Sequence, residues 1–404
     1  MKIIFVSQYF YPEVFKGNDI AFDLVKRGHD VTVLTAKPNY PSGSFYSGYN
    51  FFNKKTEIIN GVKVVRTPIF PRGNGGSIPL ILNYLSFVFF SYFTVLFRLR
   101  DKFDVVFVQQ LSPVTMALPG LWLKRRLKIP MVMWTLDLWP ESLVATTNIK
   151  SNKVISIIDA IVKHIYDNTD VILVSSKFFI KSILNKCTNK SKRIEYFPNW
   201  AEDVYSSGNT YVDDLPKRPD GFNVMFAGNV GESQDFEAIL EAAKLTLNTK
   251  INWVIVGDGR KFDWVKNEVK INNLSNVYLW GRYPIDKMPL IFKSADVMLV
   301  SLKDKEVFSL TVPAKLQAYM ASGKMIVSML NGEGREIIET SDCGLSCSAG
   351  DSEELVKVVT VLSEYTEEEK AQKQENSKNH YNKHFSRIML FDKLESILKE
   401  LVKR

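Results

Sequence analysis

The stretch Val224-Met225-Phe226-Ala227-Gly228-Asn229-Val230-Gly231-Glu232, with an amphipathic run over 236–247 behind it, decides the fold class. An unbroken apolar run that stops at a glycine and gives way to a helical repeat is the pattern of a strand buried on both faces, leaving a parallel sheet by a tight turn. Val254-Ile255-Val256-Gly257-Asp258-Gly259-Arg260 repeats it one helix later. The same alternation predicts strands at 2–7, 30–35, 63–67, 105–109, 130–135, 171–175 and 194–197, then at 222–227, 252–256, 277–279, 297–300, 325–328 and 344–347. Each set makes one doubly wound, Rossmann-like α/β layer.

A chain of 404 residues is longer than one hydrophobic core supports, so two domains are expected. The seam falls at Phe197-Pro198-Asn199-Trp200, ahead of a polar, Gly/Asp/Pro-rich linker running to Asp220-Gly221. The predicted division is 1–197, 198–385, and a closing helix over 386–404 that packs back toward the first domain. Two such domains with facing sheets bring both sets of strand C-termini to a shared cleft, where ligands of open α/β sheets bind.

With 46% hydrophobic and 24% charged residues the chain is globular and not disordered. Cys187, Cys343 and Cys347 offer no disulfide framework and fit a reducing compartment as small core residues. The opening MKIIFVSQYF reads as a first strand and not as a cleavable signal, which places the protein in the cytoplasm. Residues 1–200 hold 26 basic against 13 acidic side chains, and the remainder 26 against 31. One half is therefore a basic surface, suited to nucleic acid, anionic lipid or a phosphorylated ligand, or simply a feature of surface composition.

The two glycine turns, at Gly228 and Gly257, each present main-chain N–H groups to an anion, and Arg260 adds a guanidinium. Either alone is also an ordinary exit from a buried strand. No G-x-G-x-x-G follows the first strand and no P-loop occurs, which weighs against dehydrogenases and kinases. Phe308-Ser309-Leu310-Thr311-Val312-Pro313-Ala314-Lys315-Leu316-Gln317-Ala318-Tyr319-Met320-Ala321-Ser322-Gly323-Lys324 opens a helix with a proline and closes it with a glycine, setting Lys315 one turn in. In Trp134-Thr135-Leu136-Asp137-Leu138-Trp139-Pro140-Glu141 a strand ends at two carboxylates, of which Asp137 is the candidate acid, or a helix N-cap. His380 and His384 stand at i, i+4 without the acid of an H-E-x-x-H site and read as a solvated helix face.

The run 78–97 is apolar over about the ~20 residues that span a bilayer, and Arg98, Arg100 and Lys102 follow it. A spanning helix would divide one parallel sheet between two sides of a membrane. The readings left are a helix dipping into one leaflet, with Asn83, Tyr84, Phe87 and Arg98 among its contacts, and a buried sheet-covering helix.

The 308–324 segment resembles the donor-binding helix of family-4 retaining glycosyltransferases of the GT-B fold. The likeness extends along nearly the whole chain through Tyr9-Phe10-Tyr11-Pro12-Glu13, Asn18-Asp19, 26–35, 38–43, Asp137-Leu138-Trp139-Pro140-Glu141-Ser142 and Phe197-Pro198-Asn199-Trp200-Ala201-Glu202. It is most similar to the O-antigen and capsule N-acetylfucosamine transferases. The resemblance implies a UDP-sugar donor, a polyprenyl-diphosphate-linked acceptor, peripheral attachment to the inner leaflet of the cytoplasmic membrane, no nucleic acid, no cofactor and no metal. Many members carry two glutamates around the donor helix, but Leu310 and Ala318 stand there, and Asn229 and Gln234 replace the usual phosphate-binding Arg and Lys.

Lys315 and Arg260 are the candidates for neutralising the diphosphate, Lys315 being otherwise a solvated helix lysine. The resemblance places Asn18, Asp19, Gly228, Asn229, Gln234, Gly257, Arg282, Tyr283, Ser309, Thr311, Glu333 and Glu336 at the donor. Asn18 and Asp19 could equally cap the first helix, Arg282 and Tyr283 could be loop packing, and Glu333 and Glu336 could serve a helix N-terminus or supply the missing carboxylate. Trp139 and Glu141 fall on the acceptor side. The alternatives in other classes are a nucleotide-sugar epimerase of the same fold and a non-catalytic nucleotide-binding partner.

Overall fold

A computed structural model describes residues 1–74, 76–146, 151–206 and 215–403. Residues 207–214 of the predicted linker lie outside them. The chain forms two compact units, Met1–Pro198 with Leu390–Arg404, and Asn199–Met389.

The first unit holds β1 (Lys2–Val6), β2 (Asp30–Ala36), β3 (Thr56–Ile59), β4 (Val62–Thr67), β5 (Val105–Gln110), β6 (Met131–Thr135), β7 (Val171–Val174) and β8 (Arg193–Tyr196). They form one sheet in the order β3-β4-β2-β1-β5-β6-β7-β8. The second unit holds β9 (Phe222–Ala227), β10 (Ile251–Val256), β11 (Val277–Gly281), β12 (Val297–Ser301), β13 (Ile326–Met329) and β14 (Gly344–Cys347). Their order is β11-β10-β9-β12-β13-β14, all parallel, so chain direction across the sheet reverses between β9 and β12. In the first sheet it reverses between β1 and β5. Ligands of such sheets sit at these switch points.

Thirteen of the strands stand where the apolar runs predict, with ends shifted by no more than two residues. The exception is β3, which the sequence reading omitted. It pairs antiparallel with β4 at the sheet edge, joined by a two-residue turn whose Asn60 and Gly61 both take positive φ, 47° and 82°.

The closing helix, Arg387–Lys403, lies on the first unit. Leu390, Phe391, Leu394, Ile397 and Leu398 are buried, and a fully buried aliphatic side chain contributes about 1.5–3 kcal/mol. Charged contacts fix its register: Arg27 reaches Asp392 at 2.6 Å and Glu395 at 3.2 Å, His29 reaches Glu395 at 2.9 Å, and Arg193 reaches Glu400 at 2.9 Å. Lys399, then His29 and Arg27, hold the Glu395 carboxyl down to about 2.

Candidate functional site

In the second unit β9 leaves the sheet at Gly228 and β10 at Gly257, and the two turns are knit together. Gly228 N–H donates to Val256 O at 2.9 Å, Val230 N–H to Asp258 O at 2.9 Å, and Gly257 N–H to Gly281 O at 2.7 Å. Gly257 has φ +137°, and a Cβ there would stand 1.8 Å from Gly228 O, so only glycine fits. Gly228 and Asn229 are exposed at the tip.

Beyond Met225 the ladder between β9 and β12 stops. Tyr319, fully buried on the Ala314–Ala321 helix, takes over: its hydroxyl accepts the Ala227 N–H at 2.9 Å and donates to Ala227 O at 2.8 Å. This residue was not among the sequence candidates, and its one signal was a hydroxyl-bearing aromatic one turn past Lys315. Tyr319→Phe leaves both polar atoms of Ala227 without their partner. It is expected to lower stability by about 1–3 kcal/mol, read as a drop in urea midpoint.

One turn earlier, Lys315 extends beneath the first glycine turn. Its Nζ lies 3.7 Å from the centroid of the Phe226 ring and donates to Gln234 Oε1. A Cβ at Gly228 would be 3.6 Å from the same nitrogen. No carboxylate lies within ion-pairing distance of Lys315 among the described residues, and burial pushes its pKa well below the ordinary lysine value. The reading of Lys315 as a solvated surface lysine is thereby corrected. An ammonium enclosed beside an aromatic face and an amide, without a counter-ion, is poised for an anion.

Arg260 and Arg282 are exposed, and each follows a residue of the Gly257 turn or its hydrogen-bond partner Gly281. Neither forms an ion pair among the described residues. Tyr283 is half-buried beside Arg282. The 309–313 loop abuts the start of the Glu333–Ser341 helix: Gly332 has φ +74°, and its Cβ would stand 1.8 Å from Ser309 O. Ser309 and Thr311 hydroxyls donate to Glu306 O and Val307 O, at 2.7 and 2.9 Å, so both hold the loop itself. Glu333 is buried in the first turn of that helix, whereas Glu336 is exposed.

In the first unit Asp137 follows β6 near the switch point. Its carboxylate accepts from the hydroxyls of Ser112 and Ser142, and Trp139 Nε1 lies 3.3 Å away. Asp137 is a held carboxylate, bonded to side chains where an N-cap would bond main-chain N–H groups. Glu141 pairs with Lys186 at 3.0 Å. Asn18 is bound at both ends to main chain, donating to Glu13 O at 2.7 Å and accepting from Tyr11 N–H at 3.1 Å, so it staples the loop after β1. Asp19, half-buried, stands in the first turn of the Lys16–Lys26 helix.

The Ser77–Phe97 helix is inside out. It is 21 residues long, with a mean hydropathy of 1.9 over an 18-residue window, long and apolar enough to cross a membrane by length and composition. Yet it buries Asn83, Ser86, Ser91 and Thr94 along with Phe87 and Val95, and exposes Ile78 (73%), Leu85 (59%), Phe89 (58%) and Phe97 (61%). Asn83 accepts from Gln8 at 2.9 Å and donates to Phe70 O at 2.6 Å, and Thr94 donates to Thr67 at 3.2 Å. The polar stripe anchors the helix to its sheet.

Two residues named as membrane contacts, Asn83 and Phe87, are fully buried and face the core instead. Arg98 is likewise corrected: its guanidinium donates to Arg66 O at 2.8 Å and to Lys55 O, closing the chain around the helix end. Arg126 donates to Val95 O and Leu99 O at the same end.

The folded units are those of a GT-B protein, two Rossmann-like α/β domains with parallel sheets. Residues 18–200 match the model of the glycosyl transferase 4-like domain, and 221–364 that of glycosyl transferases group 1. Among curated relatives, WbjE of Pseudomonas aeruginosa, a probable glycosyltransferase, is 25% identical over 73% of this chain and 75% of its own. WcaI of Escherichia coli K12, named for glycosyl transfer in colanic acid biosynthesis, is 24% identical over 80% of this chain and 82% of its own. The crystal structure of Anabaena Alr3699/HepE in complex with UDP and glucose overlays 99% of this chain and 100% of its own, with a TM-score of 0.68 and 14% identity. The chain is thus a glycosyltransferase of the family-4 type.

Proposed function

We propose that this enzyme is a retaining hexosyltransferase that moves an acetamido sugar, N-acetyl-L-fucosamine or a close relative, from a UDP-sugar to a polyprenyl-diphosphate-linked acceptor. It works in O-antigen or capsule synthesis at the cytoplasmic face of the inner membrane, without metal or cofactor. The observation that carries the donor half is the uncompensated Lys315 ammonium under the Gly228 turn. The UDP and glucose bound by HepE and the colanic acid role in WcaI's name support the same reading. The exposed apolar face at 78–97 supports peripheral attachment.

In this mechanism the bond from the anomeric carbon to the β-phosphate oxygen breaks while the acceptor hydroxyl oxygen bonds the same face of that carbon. The acceptor proton passes to the departing phosphate oxygen. Lys315, with Arg260 and Arg282, neutralises the growing charge on UDP, and Asp137 helps orient the acceptor hydroxyl.

The test is UDP release by detergent-solubilised enzyme across a panel of UDP-sugars, with and without a polyprenyl-diphosphate-linked acetamido sugar. Release is expected to require the lipid-linked acceptor, to extend its glycan, and to continue in EDTA. Conversion of the UDP-sugar without acceptor would make the protein an epimerase, and binding without turnover a non-catalytic partner.

A further inference from the structure

At the switch point of the first sheet, the segment between β4 and the Ser77–Phe97 helix brings an arginine against aromatic rings, one of them from the loop after β1. The Arg72 guanidinium lies 5.1 Å from the ring centroid of Tyr40 and 6.0 Å from those of Tyr9 and Tyr84, and its Nη1 donates to Tyr9 Oη at 3.0 Å. Its main-chain N–H donates to Asn39 Oδ1 at 3.2 Å, the atom that also receives Asn83 Nδ2. Buried Glu13 accepts the N–H groups of Asn39 and Tyr40 at 2.9 and 2.8 Å, which fixes the cage wall, and desolvation pushes its carboxyl up to about 7.

The cage is built, yet it is incomplete in charge. Arg72 forms no ion pair with a carboxylate among the described residues. A guanidinium fixed by ring faces and a phenol, with its remaining N–H donors uncommitted among the described residues, is a receptor for a planar or multidentate anion, phosphate above all.

Its position selects the anion. Arg72 precedes the Ser77–Phe97 helix by five residues, and Tyr84, a cage residue, sits on that helix between the exposed Leu82 and Leu85. The cage therefore joins an apolar exposed surface, through Tyr84, to the switch point of the sheet, through Tyr9. A molecule with a hydrocarbon tail, a phosphate and a sugar in that order would lie along all three.

We infer that Arg72, caged by Tyr9, Tyr40 and Tyr84, binds the diphosphate of an isoprenoid-linked acceptor, and so sets where the acceptor sugar stands. This rests on the proposed lipid-linked acceptor, and the experiment separates the two. Binding of farnesyl diphosphate to the full-length protein is measured by calorimetry, against farnesol and inorganic pyrophosphate, for the wild type, Arg72→Gln and Arg72→Lys.

Arg72→Gln is expected to weaken farnesyl diphosphate binding about 10- to 100-fold, the worth of a charge-assisted hydrogen bond. Arg72→Lys recovers part of the loss, farnesol binding is the same in all three proteins, and UDP affinity is unchanged, which reports an intact fold. In turnover, Arg72→Gln raises KM for the diphosphate-linked acceptor by the same factor and leaves KM for the UDP-sugar alone. Equal farnesyl diphosphate affinity in wild type and Arg72→Gln would overturn the site while the proposed function stood. Tight binding to the wild type without turnover on any lipid-linked acceptor would sink the function and leave the site standing. Adsorption to phosphatidylcholine vesicles containing phosphatidylglycerol is expected to be equal in wild type and Arg72→Gln. A loss confined to the anionic vesicles would assign the cage to bulk lipid headgroups and overturn the acceptor assignment.

Discussion

Lys315→Met is expected to slow UDP release by about 100- to 1000-fold, the cost of removing a preorganised group that meets charge developing in a transition state. Methionine keeps the volume beside Phe226 but not the ammonium. Its stability consequence has the opposite sign. Burial lowers the Lys315 pKa well below 10.5, so the folded chain binds fewer protons here than the unfolded one. Wild-type stability therefore rises with pH between that lowered value and the ordinary one, and the variant loses this slope. An incoming diphosphate draws the pKa back up, so UDP binding takes up protons in the wild type and not in Lys315→Met. Calorimetry in buffers of different ionisation enthalpy reads the difference. Unchanged turnover with full proton uptake would remove Lys315 from the site.

Gly257→Ala should be nearly as damaging by a different route. The added methyl would meet Gly228 O at 1.8 Å and Gly228 C at 2.9 Å, both main chain, at a φ of +137°. Neither turn can move without breaking the hydrogen bonds to Val256 O and Gly281 O. The expected result is a loss of more than about 3 kcal/mol of stability, or, in protein that still folds, a rise of at least ~100-fold in KM for the donor. Gly323→Ala is the control. It also has positive φ, +60°, but its nearest neighbour is 3.7 Å away, so it should cost only the ~1–2 kcal/mol of a left-handed residue and leave KM unchanged. Equal damage from both would mean that backbone strain, and not the packed turns, accounts for the effect.

The central strands were legible because a parallel strand covered on both faces is apolar over most of its length, as in Phe222–Ala227 and Val105–Gln110, each buried throughout with only Asn223, Gln109 and Gln110 polar. β3 obeys a different rule. Thr56-Glu57-Ile58-Ile59 alternates exposed and half-buried residues at the sheet edge, and its one strong local signal was the Asn60-Gly61 pair behind it. At the two glycine turns and the 314–321 helix, strand, glycine and helix are contiguous, so Gly228, Gly257 and Lys315 could be picked out from local pattern alone. Arg98 and Asn83 could not. The carbonyls that hold Arg98 belong to residues 32 and 43 positions earlier, and Asn83 bonds Gln8 across 75. A linear reading sees a basic flank and a polar interruption in an apolar run, whereas the fold uses both to fasten main chain. Arg72 escaped notice for the same reason, since its cage is assembled from three separate segments.

The order of synthesis on the ribosome gives the closing helix another meaning. Arg27 finds Asp392 only 365 residues later, so the first unit is finished only after the whole of residues 199–389 has been made. Residues 199–389 can complete their own sheet first. Until residues 390–403 emerge, the patch that receives Leu394 and Leu398 stays open to water, and a nascent chain stalled short of residue 390 would present it to chaperones and proteases.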